Sequence, residues 1–139
     1  MKFKPFSVFF LSLEGFLLMG MGVYFVFLRP SLLPEDAWYM GSSLSTIQTD
    51  VPGLAAWLQK VFWVLGGYIF TTGLLTFYVA RTSFRTKAPG VFILVLVAGI
   101  NSIGAMVLVN FMLQSDFRWV LGAMTIPWFM ALLLYLFHK

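Results

Sequence analysis

Few side chains in this sequence could take part in chemistry, and their types exclude most kinds of site. The chain has no cysteine and only one histidine, His138. It therefore lacks the residues for a disulfide, a thiolate zinc site or an iron–sulfur cluster, and also the second imidazole of a bis-histidine haem or metal site. One acid, Glu14, stands inside a long apolar run. We expect no metal and no cofactor, and Glu14 is the side chain to be explained.

The composition indicates an integral membrane protein. Of the 139 residues, 60% are hydrophobic and 10% are charged, whereas soluble domains carry about 25% charged residues. So few charges cannot cover the surface of a soluble globule, but a lipid-facing surface needs no such cover. The net charge is +4, yet the basic residues are scattered beside apolar runs, so we expect the lipid bilayer and no nucleic acid as partner.

Four apolar segments are long enough to cross a bilayer, which takes about 20 helical residues. They cover about residues 5–28, 61–80, 90–113 and 117–137. The first also imitates a secretory signal peptide, but Glu14 interrupts it and no cleavage site precedes Arg29, so we expect an anchor. The predicted fold is all-α: one transmembrane domain over residues 1–139, a multi-pass four-helix bundle.

The distribution of Lys and Arg predicts the orientation, because cytoplasmic loops keep an excess of both. With the amino terminus inside, the outer side holds three basic and four acidic residues, and the inner side holds six basic residues and no acid. Those six are Lys2, Lys4, Arg81, Arg85, Lys87 and Lys139. We expect a plasma (inner) membrane location with both termini cytoplasmic, and Arg81, Arg85 and Lys87 at the cytoplasmic interface.

The connection over residues 29–60 is the main extracytoplasmic feature. In residues 34–41 a proline can take the first helical position and two acids lie in the first turn, which predicts a short interfacial helix with Trp38 and Tyr39 in the aromatic belt. Residues 41–50 are predicted to be a loop. A helix restarts at Pro52 and either continues through Lys60 into the second span or breaks near Lys60.

Small and polar residues should face the interior, because lipid gives apolar side chains no reason to associate. No strict G-x-x-x-G motif occurs. The predicted inward faces are Leu11, Glu14, Gly15, Leu18 and Gly22 on the first span, Gly67, Tyr68, Thr71, Leu75 and Tyr78 on the second, and Ala98, Asn101, Ser102 and Ala105 on the third.

Glu14 shares its depth with polar groups of two other spans. At a helical rise of about 1.5 Å per residue, Glu14, Thr71 and Asn101 all lie about 14 to 16 Å from the cytoplasmic boundary. No Lys or Arg lies there, so we expect a neutral, hydrogen-bonded acid, and both a structural and a functional role remain open. The predicted buried polar cluster is Glu14, Tyr68, Thr71, Thr72, Asn101 and Ser102.

Two family resemblances bear on function. Residues 64–76, with Gly66, Gly67 and Gly73 followed by Tyr78 and a basic turn, resemble the second span of small DoxX-like bacterial membrane proteins, which implies a four-helix bundle largely without assigned activity. Four short spans with one glutamate in the first are similar to small multidrug resistance transporters. That likeness implies substrate and proton binding by Glu14 in a dimer.

The function expected from these residues is that of an accessory or interaction subunit, or of a binder of a small apolar ligand, without catalysis. No second carboxylate or histidine at depth could share acid and base roles with Glu14. The alternative is a proton-coupled transporter working as a dimer through Glu14. Another membrane protein or a second copy of the chain is a possible partner.

Overall fold

The computed structural model describes residues 4–137, and for Lys4 and residue 5 it describes the backbone alone. The predictions for Lys2, His138 and Lys139 therefore fall outside the described residues. The all-α prediction is confirmed, since 83% of the chain is helical and residues 4–137 contain no strand.

Four helical segments are long and apolar enough to cross a membrane, and their ends lie close to the predicted ones, except that the second begins earlier. The helix restarted near Pro52 does continue through Lys60, with no break there. The helices are α1 Lys4–Phe27, α2 Pro34–Tyr39, α3 Leu44–Asp50, α4 Leu54–Val79, α5 Val91–Gly99, α6 Ala105–Met112 and α7 Arg118–Leu136.

Two π-helical segments modify the long helices. Ala80–Phe84 extends α4, and Ile100–Gly104 joins α5 to α6. Such segments widen the helix locally and change which residues lie on a given side. The span formed by α5 and α6 thus departs from a regular helical period around Asn101, the residue that was predicted to lie at the same depth as Glu14.

The connection between the first two spans holds two short helices. In α2 the Asp36 carboxylate accepts a hydrogen bond from the Leu33 amide at 2.9 Å, as expected for an acid in a first turn. The loop predicted for residues 41–50 is wrong, because α3 occupies Leu44–Asp50. The Ser43 hydroxyl accepts a hydrogen bond from the Thr46 amide and caps this helix.

Helix α1 is the centre of the bundle and packs against α4 and α7. Its contact with α4 depends on glycines placed seven residues apart on both helices: Gly15 and Gly22 on α1, Gly66 and Gly73 on α4. A Cβ at Gly15 would lie 2.8 Å from the Gly73 carbonyl oxygen, and one at Gly22 would lie 2.7 Å from that of Gly66. Only glycine at these positions allows the two backbones to approach so closely.

The inward face predicted for α1 is confirmed, since all five of its residues are buried. The face predicted for α4 is wrong. Tyr68, Thr71 and Leu75 are exposed, as are Gly67 and Tyr78, and the buried face carries Gly66, Ile69 and Gly73. The physical reason is the close contact with α1, which selects Gly66 over its neighbour Gly67.

The inward face of the third span is also different from the predicted one. Ala98, Asn101 and Ala105 are exposed and Ser102 is half-buried. The buried positions are Val91, Val95, Gly99 and Ile103. The indole of Trp128 on α7 covers Gly99, so the residue without a side chain again marks the contact.

A cleft separates α4 from the α5–α6 span. Helix α4 packs on α1, whereas α5 and α6 pack on α7, and within residues 4–137 the α5 segment approaches the α4 segment through a small contact at the π-helical turn that follows α4. Helix α7 runs through Pro127 without interruption, and Trp128 Nε1 donates a hydrogen bond to the Val95 carbonyl at 3.1 Å. The cleft, with α1 as its floor, contains the candidate sites.

Candidate functional site

Glu14 lies on the floor of the cleft and is almost fully buried. Its side chain is 1% exposed, and neither carboxyl oxygen has a hydrogen-bond partner among the described residues. A buried polar group without a partner loses the solvation that water gave it, which costs about 1 to 3 kcal/mol. No hydrogen bond within the described residues offsets this cost, and the same carboxyl group borders a cavity.

The inner cavity, as we call the space beside Glu14, has a volume of about 300 Å³. Its wall is mostly aliphatic, with the hydroxyls of Thr72, Thr76 and Ser102 as further polar groups. Thr72 donates to the Tyr68 carbonyl at 2.8 Å and Ser102 to the Ala98 carbonyl at 2.7 Å, so both hydroxyl protons are used within their own helices. The Glu14 carboxyl group and the Thr76 hydroxyl therefore remain free to bind, and Glu14 is the ionisable one of the two.

The predicted buried polar cluster is thus only partly assembled. Glu14, Thr72 and Ser102 line the same cavity. Tyr68 is 70% exposed on the outer side of α4, and Thr71 is exposed beside it. Asn101 is also exposed, and its amide donates to the Val97 carbonyl of its own helix at 2.9 Å. Thr71 and Asn101 share the predicted depth of Glu14 but do not contact it, because their helices turn other faces to the interior.

The outer cavity is the second space of the cleft and lies toward the connection between the first two spans. Its volume is about 540 Å³, and its wall includes the aromatic rings of Phe25 and Phe62. The buried cluster of Leu18, Ile69 and Ile103 borders both cavities, since two of its members line the inner one and Ile69 lines the outer one.

Charged side chains stand at one end of the outer cavity. The Arg29 guanidinium is stacked 3.7 Å from the centre of the Phe62 ring, and its Nη2 lies 3.7 Å from a carboxylate oxygen of Asp36. Burial lowers the pKa of Arg29, while Asp36 and Glu35 act in the opposite direction. Glu35 accepts a hydrogen bond from the Ser115 hydroxyl at 3.2 Å. An apolar space with a cation and two acids at its mouth suits an amphiphilic molecule.

The residues predicted for the membrane interface lie at two ends of the molecule. Trp38 and Tyr39 are more than half exposed on α2. Arg81 and Arg85 are exposed at the far end of the α4 segment, and the Lys87 ammonium lies 4.9 Å from the centre of the Tyr135 ring. The geometry is compatible with two interfaces, and their positions at a membrane remain a prediction.

Sequence reasoning missed the outer cavity. Arg29 was used as the end of the first span and as one of three basic residues on the outer side, and neither use predicts its ion pair with Asp36. Phe62 and Trp128 carried no sequence signal, because aromatic residues occur throughout the chain. Among the described residues no group of three or more His, Cys, Asp and Glu could hold a metal ion.

No family model, curated protein or solved structure matches this chain.

Proposed function

We propose that this chain is a four-span membrane protein of the plasma membrane that binds a small apolar ligand at Glu14 and serves as an accessory protein rather than a catalyst. The observation that carries the proposal is the Glu14 carboxyl group, which is buried, has no partner among the described residues and borders a cavity of about 300 Å³.

The membrane part of the proposal is supported by the four long helices. Each contains an 18-residue stretch with a mean hydropathy of at least 1.4 and no more than two charged residues. The basic residues at one end and the exposed Trp38 and Tyr39 at the other favour cytoplasmic termini and an interfacial α2 on the outer side. The likeness to DoxX-like proteins implies the same bundle, and its glycines Gly66 and Gly73 are the ones that contact α1.

The ligand class follows from the wall of the inner cavity. A charged carboxylate at this depth is costly, so Glu14 is taken to be neutral, in which state it can donate one hydrogen bond and accept another. The rest of the wall is mostly aliphatic, with the Trp128 indole and the hydroxyls as exceptions, and the volume is at the lower end of the range of small-molecule pockets, about 300 to 1,000 Å³. The ligand is therefore small and apolar, with one hydroxyl or carbonyl group.

The proposal excludes catalysis because of the residues that line the inner cavity. Acid–base chemistry generally needs two groups with different protonation states, and Glu14 is the only titratable side chain that lines the inner cavity within residues 4–137. Binding without turnover is the simplest use of such a site.

The proposal is tested with phenol and toluene, two probes of similar size of which only phenol can hydrogen-bond. Phenol should raise the unfolding temperature of the purified protein in detergent more than toluene does. This preference should persist in Glu14→Gln and disappear in Glu14→Leu. Glu35→Gln, which changes the outer cavity alone, serves as the control. Equal shifts by the two probes in the wild type would refute ligand binding through Glu14.

The protonation premise has its own test. Infrared spectra at pH 7 should contain a protonated carboxyl band that is absent from Glu14→Gln. A carboxylate band assigned to Glu14 instead would mean that the carboxyl reaches water or a cation, and the ligand class above would be wrong.

The second candidate is a proton-coupled transporter that works as a dimer through Glu14. It is favoured by the position of this proton-binding group in a cleft between helices. Vesicles reconstituted with the protein would then show substrate-dependent proton movement that Glu14→Gln abolishes, although Glu14→Gln still binds phenol. Retention of binding without any proton movement in the wild type supports the binder.

A further inference from the structure

The outer cavity differs from the inner one in size and in the charges at its mouth. Its wall combines aromatic and aliphatic side chains from α1, α4 and α6, among them Phe25, Leu65 and Met106. Arg29, just after the first span, and Glu35, in the first turn of α2, belong to the same wall. An apolar space whose wall also holds fixed charges matches a molecule with a hydrocarbon chain and a polar head.

Arg29 has hydrogen-bonding capacity to spare. Its side chain is only 14% exposed, and Nη1 donates to the Pro30 carbonyl at 3.0 Å. At 3.7 Å the Asp36 carboxylate is an ion pair but not a close hydrogen bond. Since a guanidinium carries five N–H donors, several remain for an acceptor. The guanidinium stacks on the Phe62 ring, which fixes the plane in which these N–H donors point.

Glu35 is the complementary group. It accepts one long hydrogen bond from Ser115 and forms no ion pair within residues 4–137, whereas Asp36 is engaged by Arg29 and by the Leu33 amide. The charge of Glu35 acts on Arg29 and opposes the lowering of its pKa, but the two side chains form no ion pair. A ligand cation would therefore stabilise this carboxylate further. The mouth therefore offers one cation with free donors and one carboxylate with free acceptor positions.

We propose that the outer cavity binds a phospholipid with a zwitterionic headgroup, a phosphatidylethanolamine, through its phosphate on Arg29, its ammonium on Glu35 and one acyl chain among the rings and aliphatic side chains of the wall. We choose this lipid because the two charges of its headgroup complement those of Arg29 and Glu35. An anionic headgroup such as phosphatidylglycerol would bring the phosphate to Arg29 but leave Glu35 unpaired beside it. Phosphatidylcholine would supply a cation that has no N–H to donate.

This inference concerns a different cavity from the ligand site at Glu14, so the two proposals fail separately. The probes are phosphatidylethanolamine, phosphatidylcholine and phosphatidylglycerol with identical acyl chains. Each is added to the delipidated protein in detergent, and binding is measured by native mass spectrometry. A charge-assisted hydrogen bond to Glu35 should give phosphatidylethanolamine about tenfold tighter binding than phosphatidylcholine.

Three variants assign the selectivity, and the first two of them form a matched pair. Glu35→Gln should reduce the preference for the ethanolamine lipid well below tenfold, because the carboxylate charge is gone while the size and a neutral carbonyl acceptor are kept. Asp50→Asn removes an exposed acid of the same connection, outside the cavity wall, and should keep the wild-type preference. Arg29→Gln should weaken the binding of all three lipids, since each contains the phosphate.

Equal binding of the ethanolamine and choline lipids by the wild-type protein would overturn the proposal. Tighter binding of phosphatidylglycerol would also overturn it, because the site would then select negative charge alone. If Glu35→Gln keeps the full wild-type preference for phosphatidylethanolamine, the headgroup lies elsewhere and the assignment to this cavity is wrong. Glu14→Leu should leave lipid selectivity unchanged, which separates this result from the test of the inner cavity.

Discussion

The contact between α1 and α4 gives the most direct test of the fold, through the substitution Gly73→Ala. A Cβ at position 73 would lie 2.6 Å from the carbonyl oxygen of Gly15 and 2.6 Å from the amide nitrogen of Met19. Ordinary van der Waals contact begins near 3.4 Å. Both obstacles are backbone atoms of a helix, so neither can rotate away.

The size of the effect follows from that geometry. To reach ordinary contact the two helices must separate locally by about 0.8 Å, the difference between 3.4 and 2.6 Å. Overpacking a well-packed contact by one methyl group costs about 1 to 3 kcal/mol. We therefore expect Gly73→Ala to lower the free energy of unfolding by about that amount, even though alanine is the better helix former by about 1 kcal/mol.

The neighbouring glycine provides the control. A Cβ at Gly67 would meet nothing within 4 Å, so Gly67→Ala should leave stability unchanged or raise it. Unfolding of both variants is followed by circular dichroism in mixed micelles with increasing denaturing detergent. Gly15→Ala should destabilise like Gly73→Ala, and the double variant by less than the sum, since one separation relieves both clashes. Stabilities of Gly73→Ala and Gly67→Ala within about 0.5 kcal/mol of each other would refute the close contact.

Three further predictions concern orientation, the interface and the support of the cleft. A cysteine at Arg85 should react with an impermeant maleimide only from the cytoplasmic side and one at Asp50 only from outside, and labelling of position 85 in intact cells would reverse the topology. In a variant with Trp38 as the only tryptophan, emission should be blue-shifted from that of a water-exposed indole, and an unshifted spectrum would place α2 in solvent. Trp128→Phe should lower the free energy of unfolding by about 1 kcal/mol in the same detergent titration, because it loses the hydrogen bond to a carbonyl of α5, and an unchanged midpoint would contradict that bond.

The sequence predicts the helices well because a long apolar run has few alternatives in structure. It predicts the inward face of α1 too, since Glu14, Gly15 and Gly22 share one narrow arc and no other arc of that helix holds as many small or polar residues. On α4 the same criterion fails. Gly66 and Gly67 differ by about 100° in direction, and the polar residues Tyr68 and Thr71 favoured the wrong one.

Hydropathy cannot correct such an error in a membrane protein. Side chains facing lipid are as apolar as side chains facing the interior, so the pattern that orients a helix in a soluble protein is missing. The repeat that does carry the information is the spacing of seven between Gly15 and Gly22 and between Gly66 and Gly73. This repeat becomes recognisable only when both helices are compared, since each pair taken alone is a common occurrence.

The short helix α3 was missed for a different reason. Its residues are one Ser, two Thr, one Gln and one Asp with two aliphatic side chains, a composition that also suits a loop. The signal that could have found it is local: Ser43 precedes Leu44 and lies four residues before the buried Ile47, as expected for a capped helix with one apolar side.

The tight contact and the open cleft have a common origin in pairs of adjacent residues. Gly15 faces α4, and Glu14, one position earlier and turned by about 100°, borders the inner cavity. On α4 the same holds for Gly73 and Thr72. The glycines that draw the two helices together thus fix the direction in which Glu14 and Thr72 lie, on the side where α4 and the α5–α6 span diverge. Gly73→Ala should therefore reduce the phenol preference of the inner cavity as well as stability, whereas a change on the exposed side of α4, such as Tyr68→Phe, should alter neither.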